Sequence, residues 1–343
     1  MTRRRAAIGV IAAALTVATA GTARTQDITA SATDLLEYYN LRKYDSVAKA
    51  LVDANRGDLG IVLDALKLEA DRWVLADGAD FVAHRRMVLA TFALEVASAG
   101  LETQWERSKQ ILEWTCARLR KEKTVDQNET TWFEAALALT EGARDLDALR
   151  VHIAHMTSRV PNAPRLTLAQ AFVAETEYWD DVMMPSIPGA SRVTPDAAAK
   201  ALERALAQPA TRAEAHLRLG YFLSALNRPD EALVHLQQVD PIDDPGQRYL
   251  AQLFAGWIHE RRKDHPAAVA AFTAAVAAVP KAPVASTALA LRLYSAGERS
   301  EAQRVMQDAT GASPPVVDPW RIYGYGDLRR FPYLLARLQG QLR

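Results

Sequence analysis

The chain has 343 residues, 49% of them apolar, which is enough for one long repeat array or two ordinary domains with a sizeable core. Lysine plus arginine equals aspartate plus glutamate at 41 each, which excludes the basic stripe of a nucleic-acid binder and any run of like charge built for a polyanion. A single cysteine, Cys116, excludes an internal disulfide, so packing alone must hold the fold.

Residues 1–20 have the layout of a secretory signal peptide. Arg3, Arg4 and Arg5 form the positive start, Ala6 to Ala20 an apolar run, and Ala18-Thr19-Ala20 a cleavage site. The run is 15 residues, short of the ~18–20 needed to span a bilayer. Cleavage is therefore expected, leaving a periplasmic or secreted chain with no membrane span; a retained anchor is the alternative. Residues 21–32 are small and polar, a flexible lead. Residues 33–125 carry four helical stretches, read as two antiparallel hairpins: one from Asp34, one from about Leu59 to Leu75, one from Phe81 to Ala99 and one from Glu102 to about Lys121.

From Glu129 a spacing sets in faintly, with Ala136, Ala148 and His152 in a small, small, large order. The next small slot falls on Gln170, 34 residues after Ala136, so the match is degraded over 126–212. Pro185, Pro188 and Gly189 interrupt it in an inserted loop at about 180–193. Thr194-Pro195 then restarts a helix, and Ala198 precedes Gly220 by 22, the same step that separates Ala268 from Ala290.

Over 213–314 the spacing is clear in three units: Gly220, Ala232, Leu236; Gly256, Ala268, Phe272; Ala290, Ala302, Met306. The leading small residues lie 36 and 34 apart. Small residues facing each other let two helices cross closely, at roughly 8–10 Å, and the large residue one turn on fills the seam. Asn227-Arg228-Pro229-Asp230 and Gly297-Glu298-Arg299-Ser300 fall at the hairpin turns, and Pro280 and Pro314 where second helices stop. Over 315–343 an aromatic connector, Asp318-Pro319-Trp320 with Tyr323-Gly324-Tyr325-Gly326, leads to a last helix whose leucines Leu334, Leu335, Leu338 and Leu342 are expected to cap the open end.

These residues resemble tetratricopeptide repeats, best at Ala255, Gly256, Ala268, Phe272, Ala275 and Pro280, with Leu217-Arg218-Leu219-Gly220-Tyr221 close to the family's first helix. His259, Leu223 and Leu293 depart from the pattern or vary at one slot. The tail from Asp318 to Leu342 resembles the ends of exported bacterial helical-repeat proteins through Asp318, Pro319, Trp320, Tyr323, Gly324, Gly326, Arg330 and Leu334. The resemblance implies an all-α, right-handed superhelical array of antiparallel hairpins with a C-terminal capping helix. It also implies that first helices line a groove, here through Tyr221, Ser224, Leu253, Trp257, Glu260, Arg261, Leu291 and Tyr294.

The function expected is that of a non-catalytic scaffold of the bacterial cell envelope, holding a peptide or partner helix in that groove, with no cofactor and no metal. The alternative is a carbohydrate binder using Trp257, Trp179 and Trp320 as sugar platforms. Tyr221 and Trp257 have a second reading, as core between repeats. His152 and His155 lack a third metal ligand. His259-Glu260 is followed by His265 at the wrong interval for a zinc protease. Asp180-Asp181 and Asp243-Asp244 read as solvated surface, and Cys116 as a small buried hydrophobe.

Overall fold

The computed structural model describes residues 90–91, 93–98, 104–120, 127–183, 193–239, 244–311, 316–324, 326 and 331–341. The signal segment, the lead, the helices expected from Asp34 and from Leu59, and the inserted loop past Met183 lie outside the described residues. All regular structure among the described residues is helical: an all-α array of antiparallel hairpins. It divides into two units, one of residues up to Pro161 together with Asp327–Arg343, the other Asn162–Gly326.

In the first unit α1 (Trp105–Arg120), α2 (Gln127–Ala143) and α3 (Leu146–Arg159) pack together, and α13 (Phe331–Gln341) lies along α2. Helix α2 is buried on every face from Thr131 to Thr140, because neighbours cover it all round. Ala136 and Ala148 sit on its hairpin with α3, where the degraded spacing put them. Asp145 caps α3 by accepting from the Ala148 amide at 2.9 Å and also pairs with Lys109 at 2.9 Å. The last helix packs on α2, so the helix expected to cap the final repeat belongs to this unit. Its apolar side carries no register signal that could have named its partner.

The second unit is a row of four hairpins: α4 (Pro164–Met183) with α5 (Pro195–Ala205), α6 (Arg212–Ala225) with α7 (Pro229–Leu236), α8 (Pro245–Arg261) with α9 (His265–Ala278), and α10 (Pro283–Ser295) with α11 (Arg299–Thr310). A short helix, α12 (Pro319–Tyr323), packs on α8. Proline opens α5, α7, α8, α10 and α12, where its fixed φ and missing N–H cost nothing. Thr194, Asp244 and Asp264 accept from amides three residues on, at 3.2, 3.0 and 3.2 Å.

The repeat is visible in the backbone. Asn227, Lys263 and Gly297 all adopt positive φ at the hairpin turns, 36 and 34 residues apart like the small residues. After each, the same bond closes the helix: Arg228 N to Leu223 O at 2.9 Å, Asp264 N to His259 O at 3.0 Å, Glu298 N to Leu293 O at 2.9 Å. Inside the hairpins Gly220 faces Leu236 and Gly256 faces Phe272, with Ala232, Ala268 and Ala302 buried at the crossings.

Candidate interaction surface

The first helices α6, α8 and α10 carry all eight residues that the resemblance implied for a groove. The structure separates them. Leu253 is fully buried, so it presents nothing to a ligand; α8 is packed between α6, α7, α9 and α12. Ser224 is buried as well, its hydroxyl accepting from the Arg261 guanidinium. Tyr221 and Trp257 are half-buried, and they do not stack on each other. Phe254 stands between them, with ring centroids 4.5 Å from Tyr221 and 5.7 Å from Trp257.

The wall they form is already occupied by the chain's own connector. Trp320 of α12 packs against Tyr221, Phe254 and Trp257 at 5.6, 5.6 and 5.2 Å, and Tyr323 against Tyr221 and Phe254 at 5.2 and 5.3 Å. Trp179 joins from α4 through Tyr221 at 6.3 Å and Phe222 at 5.5 Å. Core is therefore the reading that fits Tyr221 and Trp257 here. The three tryptophans meant as sugar platforms lie in this one cluster, turned towards neighbouring rings.

Polar bonds hold the connector in place. Asp318 is buried and accepts from the Tyr249 hydroxyl at 3.0 Å, from the Val284 amide at 2.7 Å and from the Trp320 amide of its own helix at 2.9 Å. Tyr249 in turn accepts from the Ala285 amide at 3.1 Å, so one carboxylate ties α8, α10 and α12 together. Burial raises the Tyr249 phenol well above its ordinary range, which keeps it a donor.

Behind α12 lies a buried ionic group. Arg218 donates to Glu214 at 2.8 Å and to Glu175 at 3.1 Å, and Tyr323 donates to Glu175 at 3.3 Å. The guanidinium is 5.1 Å from the ring centres of both Phe172 and Tyr323. Burial pushes the Glu175 carboxyl up, against the pull of Arg218. Arg218 and Glu214 share one helix face by their spacing of four; Glu175, on another helix 43 residues before Arg218, gave no sequence signal.

What remains open on these helices is the rim beyond α12. Leu291 and Tyr294 on α10 are 54% and 59% exposed, although they occupy the slots that hold Trp257 and Glu260 in α8. Arg299 lies 5.6 Å from the Tyr294 ring centre, and Arg292 pairs with Glu260 at 2.9 Å. Arg261, though exposed, is engaged with α6, donating to the Ser224 carbonyl at 3.2 Å and to its hydroxyl. On the far side of the last hairpin, α9, α10 and α11 enclose a cleft of about 530 Å³ floored by Leu289, Leu293, Val276 and Val305, with Glu301, Arg304 and Asp308 paired at its edge.

Two histidine arrangements bear on the chemistry. His152, expected to be structural, is buried with its Nδ1 3.1 Å from Cys116 Sγ. His155 packs edge-on to Phe133 at 6.4 Å. Sequence reasoning did not single out His216 and His235, 19 residues apart, whose Nδ1 atoms lie 2.9 Å apart across the α6/α7 hairpin. Among the described residues no group of three or more histidine, cysteine, aspartate and glutamate side chains is placed to hold a metal ion.

The His216–His235 pair makes stability depend on pH. Burial, then the neighbouring His235 and Arg212, holds His216 down to about 4, and burial lowers His235 too. The unfolded chain then binds more protons than the folded one between about 6.5 and 4, so stability rises with pH in that window. The contribution is complete above pH ~6.5 and lost as pH falls towards ~4; with the pair only half-buried it is on the order of 1 kcal/mol. Urea midpoints of the native chain and of His216→Gln/His235→Gln, compared across this range, should converge as pH falls. Parallel curves would show that the pair titrates normally.

Residues 194–253, which run from the cap of α5 into α8, match the tetratricopeptide repeat family. No curated protein matches the chain.

Proposed function

We propose that this chain, whose hairpins carry a tetratricopeptide repeat match, is a non-catalytic scaffold that binds a peptide or partner helix along the open rim of α8 and α10. Repeats of this family generally mediate protein–protein contact, and rigid stacked hairpins present such a surface without needing to reorganise. The observation that carries the reading is the exposure of Leu291 and Tyr294 on a first helix, beside the arginines Arg292 and Arg299. Tyrosine and arginine around an apolar residue are the side chains that anchor interfaces. The charged members favour a ligand with at least one carboxylate near an apolar anchor. We propose further that the chain is exported and works in the cell envelope, on the strength of the signal-like layout of residues 1–20. No described helix is long and apolar enough to cross a membrane.

Selection from a displayed peptide library against the mature chain, followed by calorimetry on the enriched peptide, tests the rim. Leu291→Glu with Tyr294→Ala should weaken binding at least ~30-fold, since two anchor truncations cost about 1–2 kcal/mol each. The melting temperature should stay within a few degrees, because both side chains already face solvent. Peptide affinity untouched by the double substitution would remove the rim from the proposal.

A further inference from the structure

We propose that α12 is the chain's own copy of a ligand: the seat it fills on α4, α6, α8 and α10 is a recognition site for a short helical segment of a partner protein with the pattern Asp-Pro-Trp-x-x-Tyr, kept closed until that segment takes its place. A helix of five residues does not hold itself together in water, so α12 owes its form to the seat. Its side chains divide by face. Asp318, Pro319 and Tyr323 are buried and Trp320 is half-buried, whereas Val317 is 70% exposed and Arg321 faces solvent. Trp320 and Tyr323, three apart, have the spacing of the anchors by which a helix enters a groove.

The seat reads each anchor by its own chemistry. The Tyr249 hydroxyl and the Val284 amide, from two different helices, converge on the Asp318 carboxylate at 3.0 and 2.7 Å. Tyr221, Phe254 and Trp257 meet Trp320 edge to face at 5.6, 5.6 and 5.2 Å. Glu175 accepts from the Tyr323 hydroxyl at 3.3 Å, and the Arg218 guanidinium lies 5.1 Å from the ring centre. Covering an array needs only an apolar stripe; a carboxylate clamp and a phenol acceptor select a sequence. These groups stand on helices that the hairpin stack fixes, so the seat is preorganised. The chain's own segment is tethered, at an effective concentration on the order of 1 mM. For a competitor that binds the open seat at about 10 μM, this raises the apparent dissociation constant about 100-fold. A longer partner segment offsets that loss by reaching Leu291 and Tyr294, exposed on α10 in the slots of Trp257 and Glu260. None of the seat's own contacts is made by these two residues, so the seat and the rim reading fail separately.

The probe is a labelled peptide of residues 316–324, followed by fluorescence anisotropy against the full chain. Trp320→Ala/Tyr323→Ala removes both anchors of the tethered segment, and this variant should bind the peptide at least ~30-fold more tightly than the native chain. A peptide carrying Trp320→Ala should bind neither. Asp318→Asn in the full chain keeps the side-chain volume and weakens only the carboxylate clamp, so affinity for the unaltered peptide should rise at least ~3-fold over native. That second variant decides the matter if the first loses native circular dichroism. A natively folded double variant that binds no peptide at submillimolar concentration overturns the proposal, as does an affinity unchanged by Asp318→Asn; α12 is then a fixed part of the fold. A native chain that light scattering finds dimeric at micromolar concentration, and monomeric after Trp320→Ala/Tyr323→Ala, makes a second copy the occupant and overturns it too.

Discussion

Asp318→Ala is expected to lower the unfolding free energy by about 3–4 kcal/mol. The carboxylate is 1% exposed and receives three donors: the Tyr249 hydroxyl, the Val284 amide and the Trp320 amide. Alanine leaves the first two facing a region that water reaches poorly, and each stranded buried donor costs ~1–3 kcal/mol. The third loss removes the cap of α12, worth ~1 kcal/mol. Tyr249→Phe removes one partner and should cost less, about 1–2 kcal/mol. The two substitutions should be strongly non-additive, with a coupling of at least ~1 kcal/mol, since both break the same bond. Trp320 fluorescence reports the same event: with the anchor gone, Trp320 leaves Tyr221, Phe254 and Trp257 and its emission shifts to the red. A loss below ~1 kcal/mol with unchanged emission would mean that α12 rests on the cluster without being tied to it.

The same geometry settles how Tyr221→Ala with Trp257→Ala should behave. A residue that only touches a ligand can be truncated at little cost to folding. These two support Trp320 and Tyr323 from below, so their joint removal opens a void under α12 and costs several kcal/mol, on the scale of ~3–5 for one large aromatic in a core. Heat or urea denaturation of the double variant should show that collapse before any binding assay is run.

The hairpins were legible because their physics is local and periodic. Gly220, Gly256 and Ala290 recur with their opposing residues at fixed steps, and the turn residues Asn227, Lys263 and Gly297 recur with them. Where the period ends, so does legibility. Asp318-Pro319 announces a capped helix start, and α12 begins there, but nothing in the sequence says that this helix lies on α8. Leu253 and Leu291 show the same limit from the other side. Both were assigned to the groove by repeat register, yet register does not say what covers each position, and one is core while the other is exposed. His216, His235 and Glu175 met their partners through neighbouring helices at separations with no pattern to read.

Gly256→Ala is expected to cost about 2–4 kcal/mol despite the ~1 kcal/mol that alanine gains over glycine in a helix. A methyl group at this position falls inside the Phe272 ring, within 2.8 Å of its Cζ, and Phe272 is fully buried with nowhere to swing. Gly220→Ala should be milder, about 1–2 kcal/mol, because the methyl meets Leu236 Cγ and Cδ2 at 2.7 Å and the Ala232 carbonyl oxygen at 3.2 Å, a less severe overlap than with the Phe272 ring. The next hairpin already contains the solved version of the problem. Ala290 carries the methyl that Gly256 lacks, and the opposing residue is Met306, thinner and more flexible than phenylalanine. Gly256→Ala/Phe272→Met should therefore be more stable than Gly256→Ala alone, even though Phe272→Met by itself removes buried ring and destabilises the chain. That reversal of sign is the signature of a close crossing. If the double variant is the less stable of the two, the hairpins are not set by the fit of a small residue against a large one.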